Sequence, residues 1–279
     1  MTGRAETPPP LHFRKMHGLG NDFVIIDQRS SEWPLNAELV RAIGDRHRGV
    51  GFDQLAEIRP GGNVAADLIF WNSDGSTAGA CGNATRCVAD LLMSESCTKA
   101  LSLRTERGVL PCARMDGGLI SVDMGAPMLG WADIPLAHEV DTAVLPLDGA
   151  PAACSMGNPH CTFFVADAEA VDLAAQGAAI ETDALFPERT NVQFVQVMSR
   201  TEARVRVWER GVGVTLASGS SSCAVVVNAV RKGLMDRSAV LHMDGGDIRI
   251  TWAENGHVLM EGPVAYVFEG VFDPRFVTP

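Results

Sequence analysis

Cys81 stands directly before Gly82-Asn83, and Ser218 stands directly before Gly219-Ser220, at a separation of 218 − 81 = 137 residues. In both places a strand-like run and a glycine-containing turn lead into a small nucleophilic side chain, and a helix-like segment follows. A helix start presents unpaired N–H groups and a partial positive charge, so it binds a carboxylate and favours a thiolate beside it. A cysteine in that position is expected to have its pKa lowered from about 8.5 toward neutrality. Two such ends facing one another would hold a carboxylate between them and set one side chain on either face of the adjoining carbon. Inverting an α-carbon needs that arrangement, because a proton leaves one face and another arrives at the opposite one. Donors from the two helix ends would spread the carbanion's charge over the carboxylate without a cofactor.

The elements that must position these residues repeat. The segment from Trp71 to Gly82 lies on the segment from Trp208 to Gly219 without a gap, with Trp, Ala and Gly coinciding. The same offset carries Gly20-Asn21 onto Gly157-Asn158 and Gln54 onto Asn191. A duplication is the reading, with two similar domains facing each other across a cleft, a common place for ligands. Strands are expected at Val24 to Ile26, Ala65 to Trp71, Leu101 to Thr105, Leu119 to Met124, Val192 to Val197, Ala203 to Trp208, Val240 to Met243, Ile248 to Trp252 and Val264 to Phe268, with another apolar run at Thr162 to Val165. Helices are expected at Asn36 to Arg46, Asn83 to Ser94 and Ser220 to Lys232. Many strands, few helices and no regular βαβ alternation predict an α+β fold with mixed or antiparallel sheets. Trp71 and Trp208 are expected in the cores of the two halves, and Met124 to Pro127 at the crossing between them.

Composition excludes several function classes. The 279 residues carry 23 Lys plus Arg and 34 Asp plus Glu, a net charge of −11, which argues against nucleic-acid binding. Hydrophobic residues make up 46% and charged residues 20%, enough to build a real core. No apolar run reaches the ~18 residues of a membrane span, and the opening MTGRAETPPP lacks the hydrophobic segment of a signal peptide, so a cytoplasmic protein is expected. Seven cysteines without an export signal read as reduced thiols, most of them small buried hydrophobes. Their spacing lacks the paired pattern of zinc sites, so no metal is expected.

Other motifs carry less. Gly18-x-Gly20 lacks the third glycine of a dinucleotide fingerprint and precedes a strand. Ser218 does not sit in a G-x-S-x-G elbow. His160 and Cys161, adjacent on a strand, point to opposite faces and cannot chelate one ion easily. The remaining histidines read as surface or structural.

Taken together, His17 to Phe23 (HGLGNDF), Gly51 to Gln54 (GFDQ), Asn72 to Ser76 (NSDGS), Ala80 to Asn83 (ACGN) with Arg86-Cys87, Gly157 to His160 (GNPH), Thr190 to Val192 (TNV) and Trp208 to Gly211 (WERG) resemble the diaminopimelate epimerases. These are pyridoxal-independent enzymes of lysine biosynthesis that interconvert LL- and meso-diaminopimelate. The resemblance covers nearly the whole chain. It implies Cys81 as one of two catalytic cysteines, with His160 and Glu209 near the catalytic thiols, and Gly82 and Asn83 as donors to the reacting carboxylate. It also implies a substrate shell of Asn21, Gln54, Asn72, Asn158, Asn191, Glu209 and Arg210, with Gly219 and Ser220 at the second helix start. Arg210 would take the distal carboxylate through a bidentate fork. The fold implied is two pseudo-symmetric α/β domains, each a curved mixed sheet around a central helix, at 1–125 plus 265–279 and at 126–264. A homodimer acting on a small amino acid without a cofactor is implied as well.

The chain departs from this pattern at Ser218, where the family's second catalytic cysteine belongs. A hydroxyl is far less acidic than a thiol, and no activating base is evident nearby in sequence. The two-base cycle is therefore expected to be impaired. Val214 stands where the family usually has Glu, and Ser221-Ser222 replaces a Gly plus a small residue. Three readings follow: an introduced isosteric replacement; a natural member isomerising another amino acid or catalysing a one-base elimination; and an inactive amino-acid-binding protein.

Overall fold

The computed structural model describes residues 10–30 and 33–277; Met1 to Pro9, read above as lacking a signal-like segment, lie outside the described residues. The chain runs through one succession of elements twice. The first pass is β1 (His12–Gly18), β2 (Asn21–Asp27), α1 (Ala37–Gly44), β3 (Gln54–Arg59), β4 (Ala66–Asn72), β5 (Thr77–Ala78), α2 (Gly82–Glu95), β6 (Ala100–Thr105), β7 (Gly108–Arg114) and β8 (Ile120–Asp123). The second is β9 (Ala152–Ser155), β10 (Pro159–Phe164), α3 (Leu173–Glu181), β11 (Asn191–Val197), β12 (Glu202–Glu209), β13 (Gly213–Thr215), α4 (Gly219–Arg231), β14 (Ser238–Met243), β15 (Gly246–Trp252) and β16 (Val258–Gly262). β17 (Ala265–Val271) and the short α5 (Pro274–Val277) close the chain.

The duplication extends to register. β2 and β3 pair in parallel with Phe23 opposite Gln54, while β10 and β11 pair in parallel with His160 opposite Asn191. The helices start at 219 − 82 = 137, and after them the offset grows by one, since β14 and β6 start at 238 − 100 = 138. Equivalent strands meet where β8 lies antiparallel to β16, with Val122 opposite Met260, as a pseudo-two-fold relation requires. Each half also borrows a segment from the other: Met128, just past β8, bridges to Ser155 of β9, and β17, just past β16, pairs with β1. The result is an α/β fold of two repeated domains with mixed sheets.

α2 and α4 are the central helices, and their composition explains why they can be. Every residue from Gly82 to Ala89 is buried, as is every one from Gly219 to Ala229 except Ser220. A helix buried on all sides must be made largely of side chains that fit sheets on all sides, hence Gly, Ala, Ser, Thr, Cys and Val, with Asn83, Arg86 and Asn228 as the exceptions. Such residues are mediocre helix formers, so burial rather than propensity holds both helices. The buried hydroxyls are satisfied locally and equivalently: Thr85 Oγ1 donates to Cys81 O at 2.8 Å, and Ser222 Oγ donates to Ser218 O at 2.8 Å.

Two expectations need correction. Trp71 and Trp208 are half-buried and pack against smaller clusters, around Val40 and Ile43 and around Leu173 and Phe186, rather than in the main core. The helix α3 was not expected, because its Ala-rich run has no apolar stripe and contains Gly177. That glycine is required by packing, since a Cβ there would come within 2.5 Å of the Trp208 ring. Among the described residues no helix is long and apolar enough to cross a membrane.

Candidate active site

Cys81 and Ser218 are the residues at which extended backbone enters α2 and α4, with φ/ψ of −147°/104° and −137°/120°. Gly82 and Gly219 follow because nothing larger fits: a Cβ on either would lie 2.8 Å from Met260, at its Cε and Sδ respectively. The two helix starts approach one another across this methionine. Asn83 Oδ1 lies 3.3 Å from where a Cβ of Gly219 would stand, and Asn83 Nδ2 donates to Ala217 O at 3.4 Å. First-turn N–H groups have no acceptor within their own helix, so both starts offer donors to an anion placed between them.

The two caps differ in chemistry. Cys81 Sγ accepts from Ala84 N at 3.4 Å, whereas Ser218 Oγ donates to Glu209 Oε2 at 2.9 Å. The residues next to Ser218 offer no base, but the resemblance sets Glu209 near the catalytic thiols, and the β12–β13 hairpin, with Glu209 opposite Gly213, brings that carboxylate back to Ser218. Burial raises the Glu209 carboxyl above its ordinary value, and the Ser218 hydrogen bond pulls it down. The expected lowering of the Cys81 pKa is overturned as well. Burial pushes this thiol up to about 12 and Glu209 adds to the rise, while the Ala84 N–H and Arg86 pull the other way. The desolvation of the sulfur outweighs the helix end, so Cys81 is a thiol.

Of the polar residues singled out by sequence, Asn21, Asn158 and Glu209 hydrogen-bond to residues of these starts, while Gln54, Asn72, Asn191 and Arg210 bond elsewhere. Asn21 Oδ1 accepts from Asn83 Nδ2 at 3.0 Å, and its own amide donates to Asp53 Oδ2 at 2.8 Å. The equivalent pair on the other side is Asn158, whose Nδ2 donates to Ser220 Oγ at 3.5 Å. Gln54 Nε2 donates to Asn72 Oδ1 at 3.0 Å. Asn191 is spent on backbone, donating to Pro159 O at 2.9 Å and accepting from Arg210 N at 3.0 Å, so it holds a loop in shape. The Arg210 side chain is exposed, with Nη1 donating to Glu188 O at 3.1 Å.

His160 is fully buried behind Asn158. Its Nε2 meets Asn158 Oδ1 at 2.9 Å and its Nδ1 meets Gln193 Nε2 at 3.1 Å, a pairing that assigns the proton to Nε2. Burial, with Arg107 and Arg210 adding to it, lowers its pKa to about 3, so the ring is neutral. Gln193 also donates to Ser221 Oγ at 3.1 Å and accepts from Thr162 Oγ1 at 2.9 Å. At the equivalent places 137 residues earlier stand Phe23, Ala56, Ala84 and Ile25, all buried and apolar. Only the second half therefore backs its site with a polar chain. Cys161, next to His160, faces outward into the cluster around Leu173, as alternation along β10 requires.

Sequence reasoning missed Asp53, Gln193 and Arg86. Asp53, just before β3, and Arg86 both lie in the segments that carry the family resemblance, though with no role attached to them, and Gln193 is a polar residue on the apolar strand β11. Of the seven free cysteines, Cys87, Cys112, Cys154, Cys161 and Cys223 are buried, Cys81 is partly so and Cys97 is exposed. Among the described residues no cluster of His, Cys, Asp or Glu could hold a metal ion.

The chain is 51% identical over 271 residues to the diaminopimelate epimerase of Acidiphilium cryptum, covering 96% of this chain and 98% of that one. It is 52% identical over 262 residues to that of Gluconobacter oxydans, covering 93% and 98%. More distant solved structures share the fold: a phenazine biosynthesis protein of Bacillus anthracis, with TM-score 0.68, 14% identity and 95% and 99% coverage, and a hydroxyproline epimerase of Agrobacterium vitis, with TM-score 0.66, 12% identity and 96% and 93% coverage. The family profile described as Diaminopimelate epimerase matches residues 13–129 and 152–267. The chain thus belongs to the diaminopimelate epimerase family.

Proposed function

We propose that this protein interconverts LL- and meso-diaminopimelate by acid–base chemistry at the α-carbon, with Cys81 serving one face and Ser218, backed by Glu209, serving the other. The observation that carries the reading is the facing pair of helix starts with Cys81 at one and the 2.9 Å Ser218–Glu209 bond at the other. The α-carboxylate sits between the first-turn N–H groups of Gly82, Asn83, Gly219 and Ser220, where the developing carbanion charge is also received. Ser218 takes the α-proton as it passes its own to Glu209 Oε2, and the carbanion takes a proton from Cys81 Sγ, leaving a thiolate. The negative charge has then moved from Glu209 to Cys81, and the reverse reaction returns it. His160 and Gln193 support the reading by fixing Asn158, and Arg210 is the cation available to the distal carboxylate.

A serine that works only through a relay is slower than a thiol, so this chain is impaired relative to its two-thiol counterpart. The test is incorporation of solvent deuterium at the α-position of each stereoisomer. The protein with Ser218 exchanges slowly or from one isomer only, and Ser218→Cys restores epimerisation. If Ser218→Cys leaves diaminopimelate untouched while another amino acid exchanges, the substrate assignment is wrong. Binding that is indifferent to Cys81→Ala, with no exchange in any amino acid, would make this a binding protein.

The two domains are assigned as 1–125 with 265–279 and as 126–264, in a cytoplasmic homodimer. Support for a dimer comes from β17, where Tyr266, Val267, Phe268 and Val271 are each about half exposed in a strand whose pairing, among the described residues, is with β1 alone. Sedimentation of the purified protein checks it, a monomer at micromolar concentration counting against it.

A further inference from the structure

Arg86 lies in the second turn of α2, and it is wholly buried, the largest of the fully buried side chains. None of its three guanidinium nitrogens has a hydrogen-bond partner among the described residues. Two glycines make room for it: a Cβ on Gly18 would stand 3.0 Å from Arg86 Nη2, and a Cβ on Gly262 would stand 3.2 Å from Cζ. The same point at Gly18 is 3.5 Å from Asn83 Cβ. The guanidinium therefore lies back along the first turn of α2, in the direction helical side chains lean, toward the cap.

A guanidinium does not shed its proton inside a protein, so this is a permanent buried cation. A cation taken out of water without a counter-charge is costly, and such charges are retained where an anion offsets them. The groups whose charge couples to it are thiols, those of Cys87, Cys81 and Cys223. Of these, Cys87 and Cys223 are wholly buried, and only Cys81, at the start of α2, is partly exposed. The duplication supplies an internal control. The position equivalent to Arg86, at 86 + 137 = 223, is Cys223, so α4, the helix capped by Ser218, carries no such cation of its own. Instead, Glu209 accepts the Ser218 hydrogen bond there, and its charge works against a thiolate at Cys81.

We infer that Arg86 is the fixed counter-charge of the Cys81 thiolate, a positioning residue that lets the one thiol of the site carry negative charge inside the protein during turnover. The inference rests on the acid–base role proposed for Cys81. Glu209 is neutral once it has taken the proton, and the charge that leaves it arrives beside Arg86. The net charge of the three groups stays constant through the step.

Alkylation of Cys81 by iodoacetamide, followed peptide by peptide by mass spectrometry in the absence of substrate, tests this independently of any activity. The rate at fixed pH is proportional to the thiolate fraction, and one unit of thiol pKa is a factor of ten. In Arg86→Met the rate at Cys81 is expected to fall about tenfold, while in Arg86→Lys, which keeps the cation, it stays within about threefold of wild type. An Arg86→Met protein with an unchanged thermal midpoint and an unchanged rate overturns the inference. So does a folded Arg86→Lys protein that has lost about tenfold, and this second variant decides the matter if Arg86→Met does not fold. Failure of the proposed activity alone would show as absent α-hydrogen exchange with the alkylation difference intact.

Discussion

Replacing Glu209 with glutamine isolates the relay at the Ser218 face. The amide keeps the shape of the carboxylate and can still accept the hydrogen bond that Ser218 Oγ donates at 2.9 Å, but it cannot take the proton. Among the described residues Ser218 Oγ has no other hydrogen-bond partner, so the variant leaves the hydroxyl without a base. A positioned general base is worth about 10²–10⁴ in rate, or roughly 3–5 kcal/mol of barrier. Epimerisation measured by circular dichroism or by coupled assay should fall by that factor in Glu209→Gln. Deuterium exchange should fall equally from whichever isomer presents its α-proton to Ser218. The pH profile gives a second reading with a definite sign. The base must be ionised, and burial raises Glu209 above its ordinary 4.5, so activity climbs with pH through a limb above that value. This limb is absent in Glu209→Gln. A variant that epimerises within tenfold of wild type, with the limb retained, refutes the relay and returns the Ser218 face to an unidentified donor.

Two further perturbations probe the supports of the site. His160→Phe copies the first half, where Phe23 occupies the equivalent place, and removes the two bonds at 2.9 and 3.1 Å from a fully buried position. It should cost about 2–4 kcal/mol and lower the thermal midpoint by roughly 3–7 °C, with a raised KM as Asn158 loses its anchor; an unchanged midpoint and KM count against the buried chain. Asp22 bridges Lys15 and Arg46, and although burial alone would raise it, those partners bring it from 3.8 to about 2. Its contribution to stability is full above 3.8 and is lost as pH falls toward 2, so Asp22→Asn should flatten denaturant-measured stability across that window and cost about 1 kcal/mol at neutral pH after allowance for solvent screening. The same acid dependence in both proteins sinks the assignment.

The site was legible in sequence to the extent that its chemistry is carried by helix starts. A small nucleophile, a glycine and a polar residue before a helix-like run can be read directly, and the 137-residue offset placed the second start from the first. What could not be read depended on how elements fold back on one another. Glu209 reaches Ser218 only because β12 turns into β13, a strand of three residues with no sequence signature of its own. The Cys81 pKa was misjudged because the helix end is visible in sequence and the enclosure of the sulfur is not; desolvation won. Arg86 would be put on the surface by any composition rule, and only the glycines at 18 and 262 show why it is inside. Helix α3 was missed for want of an apolar stripe, although the offset applied to α1 would have located it, since 173 − 37 = 136.

The asymmetry of the site has one structural origin. Duplication alone would give two equal faces, and the backbone retains that equality in register, caps and hydroxyl bonds. The differences are side-chain substitutions at equivalent positions: Cys81 against Ser218, Arg86 against Cys223, Asn72 against Glu209 and Phe23 against His160. Two of these changes move charge, and in a consistent sense, placing the buried cation of α2 on the thiol's side and the carboxylate on the hydroxyl's side. A thiol needs a cation to become an anion in a dry site, whereas a hydroxyl needs an acceptor to lose its proton at all. With the cation and the acceptor exchanged between halves, neither cap would be served. Introducing Ser218→Cys without altering Glu209 therefore creates a thiol beside a carboxylate rather than beside a guanidinium. Its alkylation rate should be lower than that of Cys81 under the same conditions, and a faster rate at residue 218 would mean that the buried charges do not set the polarity of the site.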